Sequence, residues 1–132
     1  MRTQINLCIT IALFCFQTSL ANIYYVSTSG NDATGDGSSG KPWRTLKYAS
    51  TKVAANQGHT IQIAAGTFVE NGLIEIPLGV NVVGAGKDLT ILKSASSFYY
   101  NPVNPAYATD KFLISLNASS QVNGNQSLKN FI

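Results

Sequence analysis

From Thr60 to the end of the chain, short apolar runs alternate with Gly-rich turns. Thr60 to Ala64, Leu73 to Ile76, Val80 to Val83, Thr90 to Leu92, Phe112 to Leu116 and Ser127 to Ile132 each read as a strand, bounded by Gly66, Gly72, Gly79, Gly84, Gly86 and Gly124. The runs fall into two series that advance in nearly equal steps. Ile61 to Ala64 and Val80 to Val83 lie 19 residues apart, and Leu73 to Ile76 and Thr90 to Lys93 lie 17 apart. Each step is the size of one turn of a solenoid. The first series is due again near residue 100 but recurs at Phe112 to Leu116, so Ser94 to Asp110, rich in Asn, Pro, Ser and Tyr, reads as an inserted loop. Parallel stacking then predicts Ile61 and Ile63 beside Val80 and Val82, and Ile74 and Ile76 beside Ile91.

Upstream, Ile23 to Ser27 reads as a strand with two aromatics, and Thr28 to Pro42, built of Gly, Ser, Asn and Asp, as a loop. Trp43 to Ala55 has helical spacing, with Trp43, Leu46, Ala49, Ser50 and Val53 on one side and Lys47 and Lys52 on the other. Asn56-Gln57-Gly58 supplies a glycine for a left-handed helix end. A helix in a chain of strands suits a lid over the first coil, which predicts Leu46 and Val53 buried against Ile61 or Ile63. The last strand has no cap after it, so the chain reads as a fragment of a longer protein. The edge near Phe131 and Ile132 is expected to favour self-association by strand addition.

The first residues carry a different signal. Arg2 precedes an apolar stretch, Ile5 to Phe16, too short to span a bilayer, and Ser19-Leu20-Ala21 places small residues where a signal peptidase reads. Cleavage is expected after Ala21, and the protein is expected to be secreted, periplasmic or at the cell surface. Two alternatives are a lipoprotein anchored at Cys15, which bulky Phe14 disfavours, and an uncleaved membrane anchor. Both cysteines, Cys8 and Cys15, fall in this segment, so the mature chain has no disulfide or thiolate metal site. Without Arg2, eight basic side chains face six acidic ones, scattered singly. That pattern offers no stripe for nucleic acid. The organisation expected is a signal peptide over 1–21, a strand, loop and capping helix over 22–59, and solenoid coils over 60–132.

Four segments carry a family resemblance. They are Tyr-Tyr-Val-Ser-Thr-Ser-Gly-Asn-Asp at Tyr24 to Asp32, Lys-Pro-Trp-Arg-Thr-Leu at Lys41 to Leu46, Ile-Gln-Ile-Ala-Ala-Gly-Thr-Phe-Val-Glu at Ile61 to Glu70, and Val-Gly-Ala-Gly-Lys-Asp-Leu-Thr-Ile-Leu at Val83 to Leu92. The run resembles the N-terminal region of secreted right-handed parallel β-helix proteins of the pectate-lyase-like superfamily, and the fourth segment also resembles part of pectin methylesterases. The resemblance implies an all-β, single-stranded right-handed parallel β-helix with an amphipathic capping helix. It covers polysaccharide lyases, esterases, hydrolases, phage tailspikes and surface proteins alike. His59 stands where such chains commonly place an Asp before the first coil.

Several residues invite chemistry. His59, the lone histidine, has no partner acid close in sequence and reads as turn-forming or solvent-facing rather than as a base or ligand. Asp32-Ala-Thr-Gly-Asp36-Gly37 has the carboxylate spacing of a calcium loop, but an EF-hand would need Glu where Trp43 stands. The competing reading is an Asx-rich loop bonding its own backbone, so no cofactor is expected, with calcium as the alternative. Glu70 and Glu75 could be an acid and base pair, although Glu70 reads as an acceptor for turn N–H groups. Gly84-Ala-Gly86 lacks the context of a dinucleotide site, and Lys87-Asp88 reads as solvated surface. Tyr99, Tyr100 and Tyr107, in a Pro-containing loop, form an aromatic surface suited to stacking on sugars, against the plainer reading that the loop covers its neighbours. Asn117-Ala-Ser119 and Asn125-Gln-Ser127 match the N-glycosylation pattern.

These features lead to an exported β-helix fragment that acts on or binds polysaccharide, with its catalytic residues beyond Ile132 and the fragment itself inactive. The alternative is a non-catalytic surface or adhesion scaffold.

Overall fold

The computed structural model describes residues 20–95, 114–116, 126–130 and 132. Among the described residues, eight strands and one helix follow one another. They are β1 (Ile23–Val26), α1 (Leu46–Lys52), β2 (Thr60–Ile63), β3 (Gly66–Glu70), β4 (Ile74–Ile76), β5 (Asn81–Gly84), β6 (Thr90–Ser94), β7 (Ile114–Leu116) and β8 (Leu128–Lys129). The strands form three sheets, ordered β1-β2-β5-β8, β3-β6 and β4-β7, and every strand pair is parallel. The chain thus visits the first, second and third sheets in β2, β3 and β4, and visits them in the same order again in β5, β6 and β7. Ile132 exchanges backbone hydrogen bonds with Thr90 and Leu92 and so lies along the outer side of β6.

Alternation of side chains explains the core. In β2 and β5 the inward positions Ile61, Ile63 and Val82 are fully buried, while Thr60, Gln62, Asn81 and Val83 are only half-buried. Ile74 and Ile76 on β4, Phe68 on β3 and Val80 complete the interior. No polar side-chain atom buried among the described residues lacks a hydrogen-bond partner.

The stacking differs in detail from the sequence expectation. Ile61 pairs with Val82 and Ile63 with Gly84, two positions later than expected, because buried Val80 belongs to the turn that opens with Pro77 rather than to the strand. Ile74 and Ile76 lie beside Ile114 and Leu116, whereas Ile91 lies beside Thr67. The two series of runs therefore belong to three sheets. The missing strand is β3, because Gly66, read as a boundary, is the first residue of the strand, at φ 141°. A glycine there lets the chain turn the corner after Ala64 and resume an extended path at once.

Helix α1 is shorter than its apolar spacing suggests. Trp43 bridges in parallel to Val26 and Thr45 is the extended N-cap, so the helix begins at Leu46. It ends at Val53, which is also extended, and Gly58 at φ 69° serves a later turn. All five residues of the expected apolar face are buried. The helix packs against β4 and β1, and Leu46 and Val53 share one core with Ile61 and Ile63.

The free edge of the first sheet is covered by the loop before the helix and not by the helix itself. Tyr25 N–H donates to the Gly37 carbonyl at 2.8 Å, Trp43 N–H to that of Tyr25 at 3.0 Å, and Ser27 N–H to that of Trp43 at 2.9 Å. The outer side of β1 is thereby closed to another strand.

Candidate functional site

Two carboxylates converge on the start of α1. Asp32 Oδ1 accepts the N–H groups of Arg44 at 2.7 Å and Thr45 at 3.1 Å, and its Oδ2 accepts the Thr45 hydroxyl at 2.8 Å. Glu70 Oε1 accepts Leu46 N–H at 2.7 Å and Oε2 accepts Lys47 N–H at 3.2 Å. Four consecutive N–H groups at the helix entry, which no intrahelical carbonyl can satisfy, are therefore served by two side chains from distant loop and strand positions. Lys47 Nζ donates to the Asn71 carbonyl at 2.7 Å and pins the end of β3 to the helix.

Glu70 is buried, and burial raises its carboxyl above the ordinary value, with the two N–H bonds pulling the other way and Asp32 adding repulsion. It is not half of an acid and base pair with Glu75, whose position on β4 is exposed on the opposite face from the core. It serves the helix entry rather than the turn expected of it.

Asp32 and Asp36 belong to an Asx-type loop. Asp36 Oδ1 accepts Ser38 N–H at 2.9 Å, and the Ser38 hydroxyl, followed by that N–H, holds its exposed carboxyl below the ordinary value. Asn31 Oδ1 accepts the N–H groups of Ala33 and Thr34. The carboxylates proposed for calcium thus point into backbone and hydroxyl donors. No group of three or more candidate metal ligands occurs among the described residues.

His59 is buried rather than solvent-facing, at 2% exposure. Its Nδ1 accepts Asn22 N–H at 3.0 Å, and its ring meets the edge of Tyr24, centroids 5.4 Å apart. Tyr24 stacks on Trp43 at 5.5 Å, and Trp43 in turn meets Tyr48 edge-on at 6.0 Å. An aromatic row thus closes the end of the interior, and the histidine belongs to it. The Gly84-Ala85-Gly86 turn is similarly structural, since Thr90 Oγ1 accepts Ala85 N–H and donates to the Ala64 carbonyl. Tyr99, Tyr100 and Tyr107 lie outside the described residues, as do residues 1–19 of the expected signal peptide. No helix among the described residues is long and apolar enough to cross a membrane.

Among the described residues, two concavities on the outside bear on a ligand. One is a groove along the outward face of β1 and β2, lined by Tyr25, Ser27, Ser29, Ser39, Pro42 and Gln62. Tyr25 and Gln62 are register partners on adjacent strands. The other is a smaller cleft against β3, where Arg44 sits with Thr28, Thr67 and Val69 above the buried Glu70. The sequence reading passed over both. Alternation along β1 turns Tyr25 outward because Tyr24 packs against the core, and the register of β1 on β2 sets Gln62 beside it, a pairing that nothing in the chain indicates.

The chain matches a family model described as a protein of unknown function, DUF1565, over residues 28–130. It belongs to that family. The match spans the edge-covering loop, the helix and every strand from β2 to β8. No curated protein and no solved structure matches the chain.

Proposed function

We propose that this member of DUF1565 is the N-terminal part of an exported right-handed parallel β-helix protein that binds or acts on polysaccharide. The observation that supports this reading is the ordered return of the chain to three parallel sheets, strand upon strand, with one end closed by a loop and a helix. Parallel strands stacked in this way present ladders of outward side chains, which suit an extended polymer better than a small metabolite. The four sequence segments that resemble the pectate-lyase-like superfamily support the same reading, and the apolar leader before Ala21 supports export.

A specific observation favours the non-catalytic version. Glu70, which lies beneath the cleft against β3, and Asp32, which shares the helix entry with it, spend their oxygens on backbone N–H groups and a threonine hydroxyl. A carboxylate so engaged holds structure and is poorly placed to exchange protons with a substrate. The described part of the chain then acts as a closed, binding end of the scaffold.

The experiment is to express the full chain in a secreting host, determine the N-terminus of the exported form, and incubate it with a panel of neutral and acidic polysaccharides. A mature start at Asn22 and retention on at least one polymer are expected. Release of shortened polymer would favour the enzyme over the scaffold. An intact leader with cytoplasmic retention, or no retention on any polymer, would refute the proposal.

A further inference from the structure

We infer that the groove over β1 and β2 binds an uncharged saccharide, with Tyr25 as the stacking platform and Gln62 as its hydrogen-bonding neighbour. The inference rests on the polysaccharide reading above and adds where the sugar sits and which sugars are accepted.

The groove is built rather than incidental. Its floor is parallel sheet, in which Tyr25 and Gln62 occupy paired outward positions, and neighbouring strands stand about 4.8 Å apart. That spacing lets one sugar ring contact both side chains. One wall is the 38–42 loop, held by the Ser38–Lys41 bridge and by Lys41 carbonyl bonds from Asp36 and Gly37 N–H at 3.0 and 3.1 Å. The other wall carries Ser27 and Ser29, whose hydroxyls bond each other at 2.9 Å. Tyr25 and Gln62 are half-buried, so their positions are restrained before any ligand arrives.

The chemistry is that of a sugar face. Among the described residues the Tyr25 hydroxyl, the Gln62 amide and the Ser39 hydroxyl have no hydrogen-bond partner, and together they offer both donors and acceptors. A flat aromatic ring with a polar tip beside an amide matches a pyranose, which is apolar on its C–H face and polar at its rim. No Lys, Arg, Asp or Glu lines the groove. A uronate or sulfate seated there would lose water without gaining a counter-charge, which is unfavourable. The cation of the neighbouring cleft, Arg44, lies against β3 instead.

The test is calorimetric titration of the full exported chain with cello-, xylo- and manno-oligosaccharides, and with an oligogalacturonate as the acidic probe. At least one neutral oligosaccharide is expected to bind with an affinity insensitive to salt. Tyr25→Ala should weaken it about tenfold or more, equivalent to one or more factors of 1.4 kcal/mol. Tyr25→Phe, which keeps the ring and the strand, should weaken it only about threefold by removing one hydrogen bond. Arg44→Ala should leave it unchanged. Should Tyr25→Ala fail to fold, amide chemical-shift changes in the unmodified protein should still centre on Tyr25, Ser39 and Gln62. Oligogalacturonate binding that is lost in Arg44→Ala and kept in Tyr25→Ala would overturn the inference while leaving the polysaccharide reading intact. Binding of a neutral sugar unaltered by both Tyr25 variants, with shifts elsewhere, would do the same. Failure of the folded protein to bind any of the probes would overturn both.

Discussion

Glu70 ties the closed end of the molecule together by joining β3 to the start of α1. It is 1% exposed, and its two oxygens accept the first two N–H groups of α1. Glu70→Ala strands two donors and opens a cavity between β3 and the helix. Each unsatisfied buried donor costs about 1–3 kcal/mol, so a loss of about 2–5 kcal/mol is expected, a large share of a typical domain's stability. Glu70→Gln keeps the volume and one acceptor oxygen, and should lose less. The pH dependence separates the two effects acting on the carboxyl. Its ordinary value is 4.5, and burial raises it in the folded state while the N–H bonds oppose the rise. A raised folded pKa means the proton binds the folded chain more tightly than the unfolded one, so this group's contribution grows as pH falls and is lost as pH rises through the folded pKa. Urea unfolding of the purified protein and of Glu70→Gln from about pH 7 down to pH 4.5 measures this directly. The stability of the wild type relative to Glu70→Gln should increase as the pH drops. A difference that shrinks instead would mean that the N–H bonds outweigh burial, and would refute the assignment of desolvation as the dominant cause.

Other substitutions probe the same end of the fold. Leu46→Ala, at a fully buried helix position, should cost about 2–5 kcal/mol in urea unfolding, as core truncations do. Asp32→Ala frees two N–H groups and the Thr45 hydroxyl, and should cost about 1–2 kcal/mol by the same measurement, with little loss in strands distant from the loop as seen by amide exchange. Gly37→Ala places a β-carbon 2.7 Å from the Trp43 ring at a residue with φ 81°, so a loss of about 1–3 kcal/mol is expected. Trp43 is the sole tryptophan, so a red shift of its emission in the folded state reports that displacement directly.

The interior was largely legible because burial follows simple periods. The face Trp43, Leu46, Ala49, Ser50 and Val53 was named from spacing alone and is buried throughout. Three strands of the first sheet, β1, β2 and β5, lie within a residue of the expected runs for the same reason, whereas β8 is confined to Leu128–Lys129 of the expected Ser127 to Ile132. Which strand stacks on which was not legible. Passes between Ile61 and Val82 and between Ile74 and Ile114 differ greatly in length, so a constant step cannot assign partners. A glycine inside a strand, as at Gly66, also looks locally the same as a glycine in a turn. The edge-covering role of the 28–42 loop was hidden because it acts through backbone bonds to β1, and backbone groups carry no sequence signature.

The candidate site was harder to read than the core for a related reason. In a chain whose inward positions are committed to stacking, charged residues that happen to fall near the interior are recruited to satisfy it. Glu70 and His59, the residues that looked most like chemistry, are both buried and both accept backbone N–H groups. What remains free to meet a ligand is the outward set, and outward residues such as Tyr25 and Gln62 are individually unremarkable. Their significance comes from pairing across β1 and β2, between residues 37 positions apart. A polar side chain in such a fold is therefore better judged by the direction its register gives it than by its intrinsic reactivity, and it is this criterion that moves attention from the buried acids to the uncharged groove.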